Sequence, residues 1–384
     1  MLSTVVREEA ARRLRQGLPW VYREEIVSLE GTPSPGEPVL LRDERGQVLG
    51  IGDVDLQARR AIRRIGLPGE TPEGIIQRQI RRALERRGLL VQDPRYCRLV
   101  NDDGDALPGL AVDRYDAHFV VQTSTRAMDA RTDEIARSLT SVMKARSVLL
   151  RNDAPRREEL GLPVARPHVL FGTPPRWTRV LELEARFTVD LFGGPGTGYS
   201  YDQRQVRRAV RRMAHGARVL DACCNIGGLF VHAGLQGART ILAFEKDPDF
   251  ADLARENAEA NGLLGRATVE CSDAFSALEQ IHEPFDLVLL DSPRLEPGED
   301  LEADAFVRLV RMCARATRHG GRMIVSAQQP PLPEGTLDAR IAYACEQEGR
   351  LATRLFRPNL PVDFPTLLGS PGAEYMQSVA VELS

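Results

Sequence analysis

Five short apolar runs do most to restrict what this chain can fold into. From about residue 200 onward, RVLDACC, TILAFE, ATVECS, FDLVLLD and RMIVSA follow one another with segments of helical spacing between them. Brief apolar runs bounded by turn signals read as buried strands, and strands alternating with helices read as a parallel sheet covered on both faces. One intervening helix is especially clear: PDFADLARENAEANGL keeps a helical period and closes on Asn261-Gly262.

In such a sheet, ligands lie beyond the carboxyl ends of the strands, where the strand order reverses. The first run ends at Asp221, and Gly227-Gly228 opens the next helix. Glycine there tolerates positive φ and lets the backbone approach a ligand. The second run ends at Glu245, placed to accept hydrogen bonds from ribose hydroxyls. Asp273 follows the third run, where it would receive an adenine amino group, and Asp291 closes the fourth. A glycine pair before a helix, or one acid after a strand, is common; the ordered series is what points to a pocket. It lacks the full GxGxxG of a pyrophosphate loop, and four acids repel a phosphate. They suit a cationic nucleoside such as S-adenosylmethionine. The expected donor contacts are Asp221, Cys223, Asn225, Gly227, Glu245, Lys246, Asp273, Ala274 and Asp291.

The 384-residue chain has room for two or three domains, each with its own core. Residues 1–70 read as short strands with a hairpin at DERGQ and an opening helix, REEAARRLRQG, that stops on Gly17. LPGETPEG punctuates their end, with Thr71 as the expected cap of the helix EGIIQRQIRRALERRG. Residues 71–187 mix strands (HFVVQTS, SVLLRND) with a helix over MDARTDEIARSLTSVM; FGTPPRW is an exposed turn, and VLELEARFTVDLF alternates like a strand. No run approaches about 18 apolar residues, and the charged start MLSTVVREEAARRLRQ has no signal core, so a cytoplasmic protein is expected.

Six scattered cysteines and six dispersed histidines form no CxxC pair and no metal-ligand spacing, so neither a disulfide framework nor a metal site is expected. A net charge of −3 argues against a uniformly basic nucleic-acid binder. The arginines nevertheless cluster, as in QARRAIRRIG and RQIRRALERRG, and such blocks suit either phosphate contacts or a solvated helix face.

Several stretches resemble a known group, the class I methyltransferases of 23S ribosomal RNA that carry an N-terminal PUA domain. GLPWVYREEI resembles the opening of that domain; DGDALPGLAVDRY and RNDAPRREELGL resemble parts of the family's central domain. TGYSYDQRQVRR resembles the lead into its catalytic domain, and VLDACCNIGGLFVHAG its donor loop, with Cys224 where the family often has cysteine. The resemblance covers nearly the whole chain. It implies an α/β architecture: a Rossmann-like class I methyltransferase domain with a doubly wound, mostly parallel sheet over 188–384. A small β-barrel PUA-like RNA-binding domain (1–70) and a mixed α+β central domain (71–187) would precede it. It also implies methyl transfer from S-adenosylmethionine to a base of 23S ribosomal RNA or its assembly intermediate, with the oligomeric state open between monomer and homodimer. Trp20, Arg204 and Arg208 are RNA contacts on this reading; Trp20 reads equally as a core anchor, and the arginines as holding the donor carboxylate or facing solvent.

The departures bear on chemistry. Members that methylate carbon 5 of cytosine usually carry Asp-Pro-Pro after the fourth strand and Ser-Cys-Ser after the fifth. Here the chain reads Asp291-Ser292-Pro293 and Ser326-Ala327-Gln328, and Gly196 stands where the family tends to have lysine. Carbon 5 needs a thiolate added at carbon 6, which Ala327 cannot supply. Cys224 and Cys271 are weaker substitutes, read first as residues packed beside the donor. A base nitrogen attacks a methyl sulfonium directly, as in a related guanine nitrogen-7 methyltransferase that also lacks the cysteine. Asp291 would then orient the base or take a proton, with Ser326 and Gln328 bonding its edge. The competing readings are a catalytically inactive RNA-binding ribosome-assembly factor and a methyltransferase retargeted to a small molecule.

Overall fold

The β-branched and leucine-rich stretches near the start pair into the first sheet of the computed structural model, which describes residues 1–292, 301, 304–328, 335–369 and 376–384. The chain divides into two units: residues 1–176, 191–198 and 362–373, and residues 177–190, 199–361 and 374–384.

In the first unit, β1 (Ser3–Val6), α1 (Glu8–Arg15), β2 (Trp20–Val21), β3 (Ile26–Leu29), β4 (Pro38–Asp43), β5 (Val48–Val54) and β6 (Ile62–Gly66) make a six-stranded sheet in the order β2-β6-β5-β4-β1-β3. The DERGQ hairpin forms because Asp43 Oδ1 accepts the amides of Arg45 and Gln47 at 3.0 and 2.8 Å. Val6, Leu14, Val39, Leu41 and Ile62 fill the core against α1.

The expected cap of the next helix is corrected. α2 (Ile75–Leu90) starts behind Gly74 at φ +64°, and the Thr71 carbonyl instead accepts from the Arg78 guanidinium. A second sheet follows, built from β7 (Tyr96–Asn101), β8 (Leu110–Tyr115), β9 (His118–Thr123), β10 (Ser147–Leu150) and β11 (His168–Gly172), in the order β11-β10-β9-β8-β7. The helix expected over 128–143 is two: α3 (Arg126–Ala130), capped by Thr125, and α4 (Thr132–Met143). Arg131 breaks them apart, its guanidinium held by the Asp53 carboxylate and the Gly36 carbonyl. A short α5 (Arg156–Glu159) follows β10.

The second unit opens with another difference. The stretch read as one strand folds into a hairpin of β12 (Trp177–Glu182) and β13 (Ala185–Asp190). The turn falls on Leu183, at φ +55°, a conformation that glycine or asparagine usually marks in a sequence.

Then come α6 (Arg204–Met213), β14 (Arg218–Asp221), α7 (Gly228–Leu235), β15 (Thr240–Glu245), α8 (Pro248–Ala260), β16 (Ala267–Cys271), α9 (Ala274–Glu279) and β17 (Phe285–Ser292). The chain continues through α10 (Ala305–Ala316), β18 (Thr317–Gln328), α11 (Thr336–Glu346), β19 (Ala352–Phe356) and β20 (Met376–Leu383). The seven strands order as β16-β15-β14-β17-β18-β20-β19, and β20 runs antiparallel to both β18 and β19 while the other pairs are parallel. The order reverses between β14 and β17, so the ligand crevice is expected at their carboxyl ends. Among the described residues, no helix is long and apolar enough to cross a membrane.

Candidate functional site

Asp221 ends β14 with its side chain entirely buried, flanked in register by Ala243 of β15 and Leu289 of β17. Neither carboxylate oxygen closes a hydrogen bond of ordinary geometry. Burial pushes its pKa well above the usual carboxylate range, and the neighbouring Asp291 adds to this, against the pull of the Phe230 and Cys223 amides. Asp291, half-buried near the end of β17, is pushed to about 7 by burial and by Asp202, against Arg207. Two neighbouring acids at the switch point are thus held back from ionising until a cation answers them, because a buried charge without a partner is costly.

The loop after β14 is held from both sides. Cys224 N donates to Phe244 O at 2.8 Å, and Asn225, at φ +53°, donates its N–H to Glu245 Oε2 at 2.9 Å. Glu245 Oε1 accepts the Asp247 amide, also at 2.9 Å. Each carboxylate oxygen of Glu245 therefore carries one loop amide and keeps a second lone pair for a ligand hydroxyl. Gly227 sits at φ +92°, and a Cβ there would lie 2.9 Å from the Phe230 ring. Entry into α7 thus demands glycine at this position. Asp273 is exposed and caps α9 through the Phe275 and Ser276 amides, with Ala274 buried behind it; Lys246 is exposed just past β15.

Two residues that sequence reasoning passed over organise this site. Gln203, 2% exposed, donates from Nε2 to Asp291 Oδ1 at 2.7 Å, while its Oε1 has no hydrogen-bond partner. Asn257 of α8, fully buried, accepts the Thr188 amide at 2.7 Å and donates to the Ile226 carbonyl at 2.9 Å, tying hairpin and loop together. Asn257→Ala is expected to cost about 2–3 kcal/mol by stranding those groups. It should also weaken donor affinity, read together by denaturant unfolding and calorimetric titration.

Residues 162–366 match the family of S-adenosylmethionine-dependent methyltransferases, and residues 5–65 match a PUA-like domain. The chain belongs to the S-adenosylmethionine-dependent methyltransferases. Over nearly all of its length it is similar to proteins named ribosomal RNA large subunit methyltransferase I. The Tolumonas auensis protein is 30% identical over 99% of both chains, and that of Photobacterium profundum 31% identical over 96% of both. A structure from Streptococcus mutans assigned to the same methyltransferases superposes with a TM-score of 0.83 at 19% identity, covering both chains completely, which speaks to the fold.

The residues present fit this methyltransferase donor. Two orphaned, fully buried oxygens on Asp221 beside Asp291 answer a group that brings both positive charge and N–H donors. Glu245 retains acceptor capacity at the neighbouring strand end, where a ribose would need it.

Other expected residues settle differently. Ser326 is fully buried and shares a hydrogen bond with Ser378 across β18 and β20 at 2.8 Å. Gln328 closes β18, but its side chain, like Pro293, lies outside the described residues. Burial raises the thiol pKa of Cys223 and Cys224 well above the ordinary value, which disfavours the thiolate; Cys271 is exposed, its Sγ 3.8 Å from the Lys246 carbonyl. Arg204 lies 3.5 Å from Glu182 and over the Tyr201 ring, within the unit, whereas Arg208 is half-buried on α6. Trp20 is 7% exposed, with the Arg60 guanidinium 4.1 Å above its ring.

Proposed function

We propose that this protein methylates a base of large-subunit ribosomal RNA, and that the acceptor atom is a base nitrogen. One observation carries the substrate: relatives bearing that activity in their names align with 99% of the chain, PUA-like segment included. The partition into an RNA-binding segment (1–70), a central segment (71–187) and a catalytic segment (188–384) belongs to the same reading.

Ala327, 3% exposed and pairing in register with Ser292, supports the nitrogen target. No thiol stands there, and the thiols nearest the donor loop are held protonated. Bound S-adenosylmethionine supplies an electrophilic methyl group on a sulfonium. The chain's own residues do the rest. Asp221 and Glu245 hold the donor, and Gln203 fixes the Asp291 carboxylate through Oδ1. Ionised beside the bound donor, that carboxylate is the group able to accept a proton from the base. Without a covalent step, catalysis rests on alignment of nitrogen and methyl carbon.

Mass spectrometry of ribosomal RNA from cells with and without the gene tests this reading. The expected result is one base-nitrogen methyl that disappears with the gene, and retained activity in Cys224→Ser and Cys271→Ser variants. A methyl on a pyrimidine carbon would overturn the nitrogen target. Unchanged RNA together with no donor binding would favour the assembly-factor reading instead.

A further inference from the structure

The β12–β13 hairpin presents an outward face that the donor site does not use. Its inward residues Val180, Glu182, Ala185, Phe187 and Val189 are buried. Alternation turns Trp177, Arg179 and Leu181 of β12 outward, with Arg186 directly across from Leu181. Trp177 is 51% exposed, and both arginines are exposed without an ion pair among the described residues.

The tip adds a second observation. Leu183 is 44% exposed at φ +55°, where glycine or asparagine would relieve the strain. The next residue, Glu184, is anchored by Arg211 at 2.5 Å, which ties the tip in place. The hairpin cannot turn over, because Glu182 is bound by Arg207 beneath it, and Asn257 of α8 and Asn261 just past its end pair with the β13 backbone. A pinned strand pair keeping an indole, two unpaired guanidiniums and a strained leucine in solvent has the chemistry of a nucleic-acid platform. An indole stacks a splayed base, and guanidiniums take phosphates in fork geometry.

We propose that this face docks a single-stranded segment of the RNA substrate, with Trp177 stacking a base and Arg179 and Arg186 holding the flanking phosphates. The inference rests on the proposed RNA substrate. Two measurements test it on the full-length protein, with 23S ribosomal RNA purified from cells lacking the gene as the probe.

In the first, intrinsic fluorescence is followed as that RNA is added. The chain has two tryptophans and Trp20 is 7% exposed, so quenching is expected from Trp177 and should be lost in Trp177→Phe. In the second, methylation kinetics of Trp177→Ala should give a rise of about 5- to 100-fold in KM for RNA, the range of one lost base stack, with the donor Kd unmoved. The Arg179→Gln/Arg186→Gln pair should flatten the dependence of log K on log salt by about 0.7 for each arginine removed.

If wild type binds the RNA but methylates none of it, the functional reading fails while the fluorescence and salt measurements still judge the platform. Trp177 emission and salt slopes indifferent to RNA would overturn the proposal and leave the face to a protein partner.

Discussion

Replacing Arg207 with methionine is expected to lower the stability of the second unit by about 3–5 kcal/mol, the usual consequence of stripping one partner from a buried ion pair. Arg207 and Glu182 meet through two parallel bonds of 2.7 Å, with side chains 2% and 5% exposed. Arg204 lies 3.5 Å from the same carboxylate, the Tyr199 hydroxyl donates to it at 3.4 Å, and His232 Nε2 stands 3.6 Å away. Burial works to raise the Glu182 pKa, yet the arginines hold it at about 2. Burial also keeps His232 neutral, its pKa pushed down to about 4, so it cannot replace the missing cation at neutral pH. Removing Arg207 therefore leaves a carboxylate in a site that pays for it only when paired. The double variant Glu182→Met/Arg207→Met should recover part of the loss, because the unpaired carboxylate is gone while Arg204 and the Tyr199 hydroxyl lose their acceptor. Urea unfolding of single and double variants, with hydrogen exchange of α6 and α7 to localise the change, measures this. A single variant within about 0.5 kcal/mol of wild type would refute it.

The contrast between this ion pair and the donor site explains what could be read from the sequence. Strands β14, β15 and β17 each carry a short apolar run with an acid at its end, so the positions of Asp221, Glu245 and Asp291 at strand ends were legible from local pattern alone. Glu182 and Arg207 meet only because the chain turns at Leu183, where neither glycine nor asparagine marks a turn. Asn257 looks like a polar residue on an amphipathic helix, yet its fully buried amide serves as a surrogate peptide for β13 and for the Ile226 carbonyl. Ser326 looked available for a base edge until β20, some fifty residues later in the chain, brought Ser378 against it. Thr71 was a plausible cap whose helix begins one turn later, behind Gly74. Strand ends were visible where an acid closed an apolar run; what depended on two distant elements meeting was not.

Asp221→Asn is expected to raise the donor Kd by at least about 10-fold while making the donor-free protein more stable. The carboxyl is fully buried with both oxygens unpartnered, and burial, Asp291 and Glu245 all oppose its ionisation. An amide of the same shape cannot ionise, so the cost of that buried acid is gone and a bound cation loses its counter-charge; gains in stability at a site strained for function are the usual trade. Asp291 supplies the pH signature. In the free protein its pKa stands near 7, above the ordinary value of 3.8, so its contribution to folding stability is full at low pH and falls as pH rises from about 4 to 7. A bound cation favours the ionised form and moves that pKa back down. Donor binding near pH 6 should then release a proton, and affinity should climb between about pH 6 and 7.5 before levelling. Titration calorimetry in two buffers of different ionisation enthalpy reads the proton count directly. Asp291→Asn should reduce that buffer dependence by the share that Asp291 contributes. Proton-neutral binding by the wild-type protein at pH 6 would mean that the paired acids do not face the donor.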